Sequence, residues 1–345
     1  MEKEQNPTMT PVPRVYQAIG KGCGLAANNA YLLMIPFVID LFLLFGPKLR
    51  VNGLFQPLFD AAIGQMRMNI SNAGSAQLDT LSGLMSEFLA SVNLFGFIQT
   101  FPVGISVMFS SAGETTPLGK ASAIQISKTW QIIPAVILMS ILGVLIGTVY
   151  FSLTAAKIAE DDRKHSFSGL GKQILNIILL YLVLAAAVVI LAVPFSCIYS
   201  LAFMTAPIVY QIVMILMIML GCWMLIPVYF TTHGIFMSHY DFPEAFKQSF
   251  RMMPWAGTFA IRYLLYTVII TFGMDMIWSI PSQGSWLILF SIFGHAFIST
   301  ALLAGSFYLF KDLSQWGKDN RQFLSKLRSG SRYSQLFKKE SENND

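Results

Sequence analysis

Charge is what this sequence has least of. Only 12% of its 345 residues are Asp, Glu, Lys or Arg, about half the share found in soluble globular domains. With 54% hydrophobic residues, the chain cannot clothe itself in polar side chains, and an ordinary soluble domain is excluded. Cysteine is scarce as well. Cys23, Cys197 and Cys222 form an odd and scattered set with neither zinc-ligand spacing nor a disulfide framework, so free thiols are expected. There is no H-E-x-x-H, no G-x-S-x-G, no Walker loop and no carboxylate cluster suited to two metals, so no cofactor and no catalytic metal is expected. The net charge of +5 sits beside the apolar runs, where it answers anionic lipid headgroups. Nucleic acid is not the expected partner.

What the chain does have is long apolar runs. Mean hydropathy is +0.59, and runs of about twenty residues recur, the length that crosses a hydrocarbon core as a helix. The expected fold is an all-α polytopic membrane bundle of six transmembrane helices, near residues 25–45, 130–153, 174–193, 198–227, 257–280 and 286–310. Pro36 is expected to kink the first of these. Pro194 is expected to close the third. The first run is too long for a signal-peptide core, so no cleavable signal is expected and the first span is an anchor.

The most informative stretch is Y-D-F-P-E-A-F-K-Q-S-F-R-M-M-P-W-A-G-T-F-A-I-R-Y, residues 240–263. Pro243 suits the first turn of a helix. Phe242, Phe246, Ser249, Phe250 and Met253 fall on one face at helical spacing, with Glu244, Lys247, Gln248 and Arg251 opposite. The pattern predicts an interfacial elbow helix that bends at Pro254 into the fifth span. Weaker elbows are expected at 14–21, and at Phe167, Leu170 and Ile174. The six spans then group as three hairpins, each entered through an elbow.

Residues 48–128 differ from the rest. Leu54, Phe55, Leu58, Phe59, Ala62, Ile63 and Met66 make one amphipathic stripe, and Leu78, Leu81, Met85, Phe88, Val92 and Phe95 make another. Residues 94–111 are apolar but broken by Gly96, Pro102 and Gly104, and read as a re-entrant or surface-lying segment rather than a seventh span. Lys and Arg decide the orientation. Arg14, Lys21, Lys157, Arg163, Lys164, Lys172, Lys247, Arg251 and the basic tail all fall on one side, and the short opposite turns carry none. Both termini are therefore expected to be cytoplasmic and the 48–128 insertion external. Residues 1–13 are expected to be disordered, 14–310 to form the membrane domain, and 311–345 to be a cytoplasmic tail.

The A-F-K-Q-S-F-R segment entering a span, in a six-span chain, resembles the membrane domain attached to some bacterial glycerophosphodiester phosphodiesterases and related bacterial six-span proteins. The likeness covers mainly residues 166–310. It implies a bundle in the bacterial cytoplasmic membrane. This chain departs from the pattern in its long insertion and in lacking the soluble phosphodiesterase domain, so the resemblance implies no catalysis.

Ionisable groups inside spans are costly and therefore worth tracking. Asp40 and Asp275 are expected at similar depth near the external face, with His295 deeper and Asn28, Asn29 and Arg262 nearer the cytoplasm. These three, Asp40, Asp275 and His295, are the candidate intramembrane polar site. The favoured expectation is nevertheless that each carboxylate snorkels outward or caps a helix. His165, His233 and His239 are expected to be interfacial, the methionines between 204 and 224 to be packing material, and Lys247 and Arg251 to contact lipid headgroups. The expected function is a non-enzymatic scaffold or assembly factor in the lipid bilayer, binding a membrane or extracytoplasmic protein through 48–128. The alternative is a passage protein for a small solute, ion or lipid with an outward-facing polar cavity. A lipid enzyme ranks last because no nucleophile–base pair is visible.

Overall fold

The computed structural model describes residues 12–69, 72–108, 115–159, 167–205 and 207–320. The expectations for residues 1–11, for the charged linker 160–166 and for the tail 321–345 lie outside that set. Among the described residues the chain is almost entirely helical. Five helices are long and apolar enough to cross a membrane, and a sixth span results if one sharply bent helix pair is taken together.

That pair is α1 (Val15–Asn28) and α2 (Ala30–Phe45), which meet at 85°. The bend lies at Asn29 and not at Pro36, which sits inside α2. Asn29 makes the break itself: its Nδ2 donates to the Leu25 carbonyl at 2.9 Å. The side chain thus replaces a backbone donor that the next helical turn would have supplied. α2 has 16 residues, a rise of about 24 Å, short of a hydrocarbon core of about 30 Å.

After α2 the chain leaves the bundle through β1 (Lys48–Arg50) and forms the hairpin α3 (Asn52–Asn69) and α4 (Asn72–Ser91). The two stripes expected there are only partly used. Ile63 and Leu78 are buried, while Leu58, Met66, Leu81, Leu84 and Phe88 stay exposed. A short hairpin, β2 (Thr115–Thr116) with β3 (Gly119–Lys120), precedes β4 (Ala123–Gln125), which pairs in parallel with β1. The insertion is therefore clipped at its base. Lys48 reinforces the clip: its buried ammonium donates to the carbonyls of Leu43 and Leu44 at the end of α2, a C-terminal cap. Burial, and then the neighbouring Arg50, pull its pKa down to about 8.

The remaining helices are α5 (Ile132–Ala159), α6 (Phe167–Thr205), α7 (Pro207–Met237), α8 (Phe242–Trp278) and α9 (Ile288–Asp319). α6 does not close at Pro194 as expected but runs on to Thr205. Pro194 is inside α6, a position that apolar membrane helices tolerate, and it is Pro207 that takes the first turn of the next helix. α8 likewise continues through Pro254 as one helix. Its protein-facing side is Ala245, Ser249, Met252, Ala256, Ala260 and Tyr263. Phe242, Phe246 and Phe250 form a ring ladder beside it, with centroids 5.7 and 5.0 Å apart, and Phe250 remains exposed.

α9 is the axis of the bundle. Small residues let α1 cross it closely: a Cβ on Gly22 would lie 2.1 Å from the Ala301 carbonyl oxygen. Tyr263 of α8 donates to the Leu302 carbonyl, and Tyr229 of α7 to that of Ser306 at 2.8 Å. Phe151, Phe236 and Phe307 close the core between α5, α7 and α9.

Candidate polar site within the bundle

The site is built around a segment that is not helical. Leu94–Ile98 is a single 3-10 turn, and residues 99–108 continue as irregular backbone into the bundle. Val103 and Ile105 are fully buried, so the segment is internal and not surface-lying. Two glycines of α5 admit it. A Cβ on Gly143 would meet the Ile98 carbonyl oxygen at 2.2 Å, and one on Gly147 would meet the Gly104 Cα at 2.8 Å. Gly147 is about 22 Å along α5 from Ile132 by helical rise. Irregular backbone at such depth needs partners for its polar groups, and Tyr181 of α6 supplies them. Its hydroxyl donates to the Val103 carbonyl at 2.9 Å and accepts from the Val103 N–H at 3.3 Å.

The segment delivers Ser106 and Met108 to a buried Asp–His pair. Asp40 is fully buried, and both its oxygens are used. Oδ1 accepts from the Met108 backbone N–H at 2.7 Å, and Oδ2 lies 2.7 Å from His295 Nδ1. With Asp40 ionised, Nδ1 carries the hydrogen and donates, which turns Nε2 away from the carboxylate. Nε2 then faces two hydroxyls, Ser106 Oγ and Ser299 Oγ, each at 3.3 Å. The expectation that Asp40 snorkels is corrected here. α2 is too well packed against α9 to release the side chain, and two donors hold it in place.

Asp275 of α8 belongs to the same site. It lines a cavity of about 430 Å³ together with His295, Ser106, Thr271, Trp278 and Gln283. Trp278 is buried, and its Nε1 has no hydrogen-bond partner within the described residues. Gly294 makes room for it, since a Cβ there would lie 2.3 Å from the indole. Of the three residues singled out from sequence, Asp40 and His295 are paired and buried, while Asp275 is exposed and shares only the cavity wall with His295.

A second cavity, of about 350 Å³, adjoins the first. Ser106 and Thr271 line both. Its walls are mostly apolar, with Phe101, Phe151, Leu264 and Leu302 among them, and its far end holds His233 and Ser306. His233 is buried, not interfacial as expected: Nδ1 is 2.7 Å from the Tyr229 carbonyl oxygen and Nε2 is 2.8 Å from Ser306 Oγ. Ser306 Oγ also lies 2.6 Å from the Leu303 carbonyl oxygen. Ser306 has one hydrogen to give, so a neutral His233 takes it and a protonated one releases it to Leu303. Below this level Tyr229, Phe307 and Phe310 pack against the imidazole, with centroids 4.1, 4.6 and 5.7 Å away.

The residues expected to meet headgroups lie elsewhere. Lys247 and Arg251 are exposed near the start of α8, and Arg251 lines a separate cavity of about 540 Å³ with Glu244, Trp255 and Lys318. Among the described residues no group of three or more His, Cys, Asp or Glu is placed to hold a metal ion.

Chemically, carboxylate, imidazole and hydroxyl stand in an order that moves protons. An imidazole equidistant from two hydroxyls is not dedicated to one nucleophile, so the arrangement suits a relay better than acyl transfer. Sequence reading missed Ser106, His233 and Ser306. Ser106 had a signal, because it lies in an apolar run broken by Gly96, Pro102 and Gly104, which is how irregular backbone at membrane depth reads. No protein-family model, curated protein or solved structure matches this chain.

Proposed function

We propose that this protein is a membrane passage protein, carrying a small polar or cationic solute through a cavity that opens on the face bearing the 48–128 insertion. One observation carries the reading. Asp275 and His295, from two helices, line one cavity with the non-helical segment, and Asp40, from a third, backs His295 and the Met108 N–H behind that wall. Broken backbone lining a cavity at membrane depth is the usual setting of transporter sites, and intramembrane ionisable groups mark ion or proton routes. The aromatic layer of Tyr229, Phe307 and Phe310 closes the opposite end, as a protein open to one side at a time requires.

In this proposal the chain has six spans, the first made by the bent pair α1 and α2, with residues 14–21 and the first turns of α8 lying in the interface as elbows. Both termini are cytoplasmic and the insertion external, in a bacterial cytoplasmic membrane, as the distribution of Lys and Arg and the likeness to the phosphodiesterase-associated domain imply. Lys247 and Arg251 face headgroups. The experiment is cation-driven proton movement in proteoliposomes, read by an internal pH dye. Wild type should exceed protein-free liposomes, and Asp275→Asn and His295→Asn should each lose about tenfold, the worth of one charge-assisted hydrogen bond. Folded wild type without flux overturns the reading.

A second reading is a scaffold that binds a protein through the insertion, and a specific observation favours it. Leu58, Leu84 and Phe88 are each more than 60% exposed on the α3–α4 hairpin, a larger apolar display than a free surface normally keeps. Cross-linking from Leu84, replaced by a photoreactive residue, would capture that partner in intact cells. Absence of any adduct there leaves passage alone.

A further inference from the structure

The two cavities adjoin at Ser106 and Thr271 and differ in chemistry, and the difference defines what fits across them. The first has a carboxylate, Asp275, a tryptophan three residues further along the same helix, and hydroxyl and amide groups from Ser106, Thr271, Gln99 and Gln283. The second is walled largely by aromatic and aliphatic side chains. Among the described residues neither wall includes a Lys or an Arg, and the imidazole of His295 is bonded to Asp40. A carboxylate beside an aromatic ring attracts ammonium groups, by charge and by the ring quadrupole together, and an anionic head finds no Lys or Arg to pair with in this wall. The apolar chamber begins at Ser106 and Thr271, where the polar one ends, so a head held at Asp275 points its substituent into it. The far end of the chamber is stopped by His233 and Ser306.

We infer that the site takes an amphiphilic cation: an ammonium head between Asp275 and Trp278, with a single short apolar chain in the chamber between α5, α7, α8 and α9. This rests on the passage reading and names its substrate class. The combined volume is that of a drug-sized site. The same chemistry is shared by free alkylammonium compounds and by lipids with cationic headgroups, and a single chain distinguishes them.

The test uses the full chain in lipid nanodiscs, with protein-free discs as blank and radiolabelled hexyltrimethylammonium as probe. Saturable binding above the blank is expected. Displacement by butyl, hexyl and octyl homologues should tighten about three- to fourfold per methylene until the chamber is filled, beyond the partition measured in empty discs. Octanol and octyl sulfate should displace at least about tenfold less well. Asp275→Asn should lose the preference for the cation while keeping the chain-length trend, and Asp275→Glu should retain both. Leu264→Trp, which fills the chamber, should keep the preference for the cation and lose the gain with chain length. Discs containing excess lysophosphatidylcholine and discs of diacyl lipid separate the two sources. Competition by the first alone assigns a lipid, and competition by neither assigns a free amphiphile. Equal displacement by cation, neutral and anion, or a wild type that binds no more than the blank, overturns the inference. Proton flux that the probe neither inhibits nor follows would leave passage standing and this substrate class refuted. Specific binding without flux would do the reverse.

Discussion

Two helix partnerships in this molecule, α9 with its neighbours and the α6–α7 hairpin, are built on opposite terms. Along α9, 56% of the most apolar 18-residue stretch is buried, against 17% in α6 and 22% in α7. α9 is held by contacts that admit few alternatives: the Gly22 crossing, Asp40 on His295 and Tyr150 on Thr300 at 2.8 Å. The distal half of the α6–α7 hairpin is a run of exposed Val, Ile, Leu and Met, including Val188, Val189, Ile190, Ile212, Ile215 and Met219. Hydrophobicity alone therefore says that a segment belongs in a membrane. Small residues and satisfied polar groups say where it sits against its neighbours, because lipid competes equally well for any apolar side chain.

The contrast can be broken most severely at the α1–α9 crossing. Gly22→Leu forces two backbones apart, and the loss should exceed the usual 1–3 kcal/mol, roughly, of overpacking. Fluorescence-detected size exclusion should show little folded protein. Gly221→Leu in α7, where nothing lies within 4 Å of the new Cβ, should be silent in the same assay. Equal loss from both would mean that packing does not distinguish these regions.

Next in size is Asp40→Ala, which strands the Met108 N–H and the His295 imidazole. Each unsatisfied buried group costs about 1–3 kcal/mol, so a clear fall in Tm is expected, with Asp40→Asn falling less. Joint replacement of Val188, Val189 and Ile190 by Ala should change detergent-solubilised stability by no more than about 0.5 kcal/mol. A larger effect would reveal a packed partner for that face.

The smallest effect is electrostatic. Lys172 and Asp241 pair at 2.9 Å on the surface, and the lysine side chain holds the Asp241 carboxyl below its ordinary value. A depressed folded value means that the unfolded chain binds the proton first. The pair's contribution is thus whole above the ordinary aspartate range and is lost as pH falls through the depressed value. Comparing the Tm of wild type and Asp241→Asn between pH 7 and pH 3 should show a small difference that closes on acidification and shrinks with salt.

Much of this architecture was legible in the sequence, for reasons that differ by residue. Runs of twenty apolar residues read directly as membrane helices. Asp40, Asp275 and His295 stood out because ionisable groups are rare there. Their arrangement was not legible, since the depth of a residue says nothing of which way its helix faces. Pro194 misled, because a proline breaks a helix in water more reliably than among apolar neighbours. Asn29 carried the real break, through a side-chain bond to the previous turn that no periodicity registers. The protein-facing side of α8 was not legible either: Ala245, Ala256 and Ala260 are buried because they are small enough for close approach, and hydropathy gives such residues little weight.

The α3–α4 hairpin leaves and re-enters the chain at one place. The Leu49 N–H donates to Asn93 Oδ1 at 3.0 Å, so the residues flanking this appendage are already stapled together. The segment that carries Ser106 begins only after that staple. Residues 52–91 are accordingly a detachable module: a brief loop could stand in for them, or a rigid protein could be spliced at the same two points, with the polar cavity left as it is. A reporter fused there would ride on the body of the bundle and give a membrane protein with little extramembrane mass a landmark for single-particle imaging.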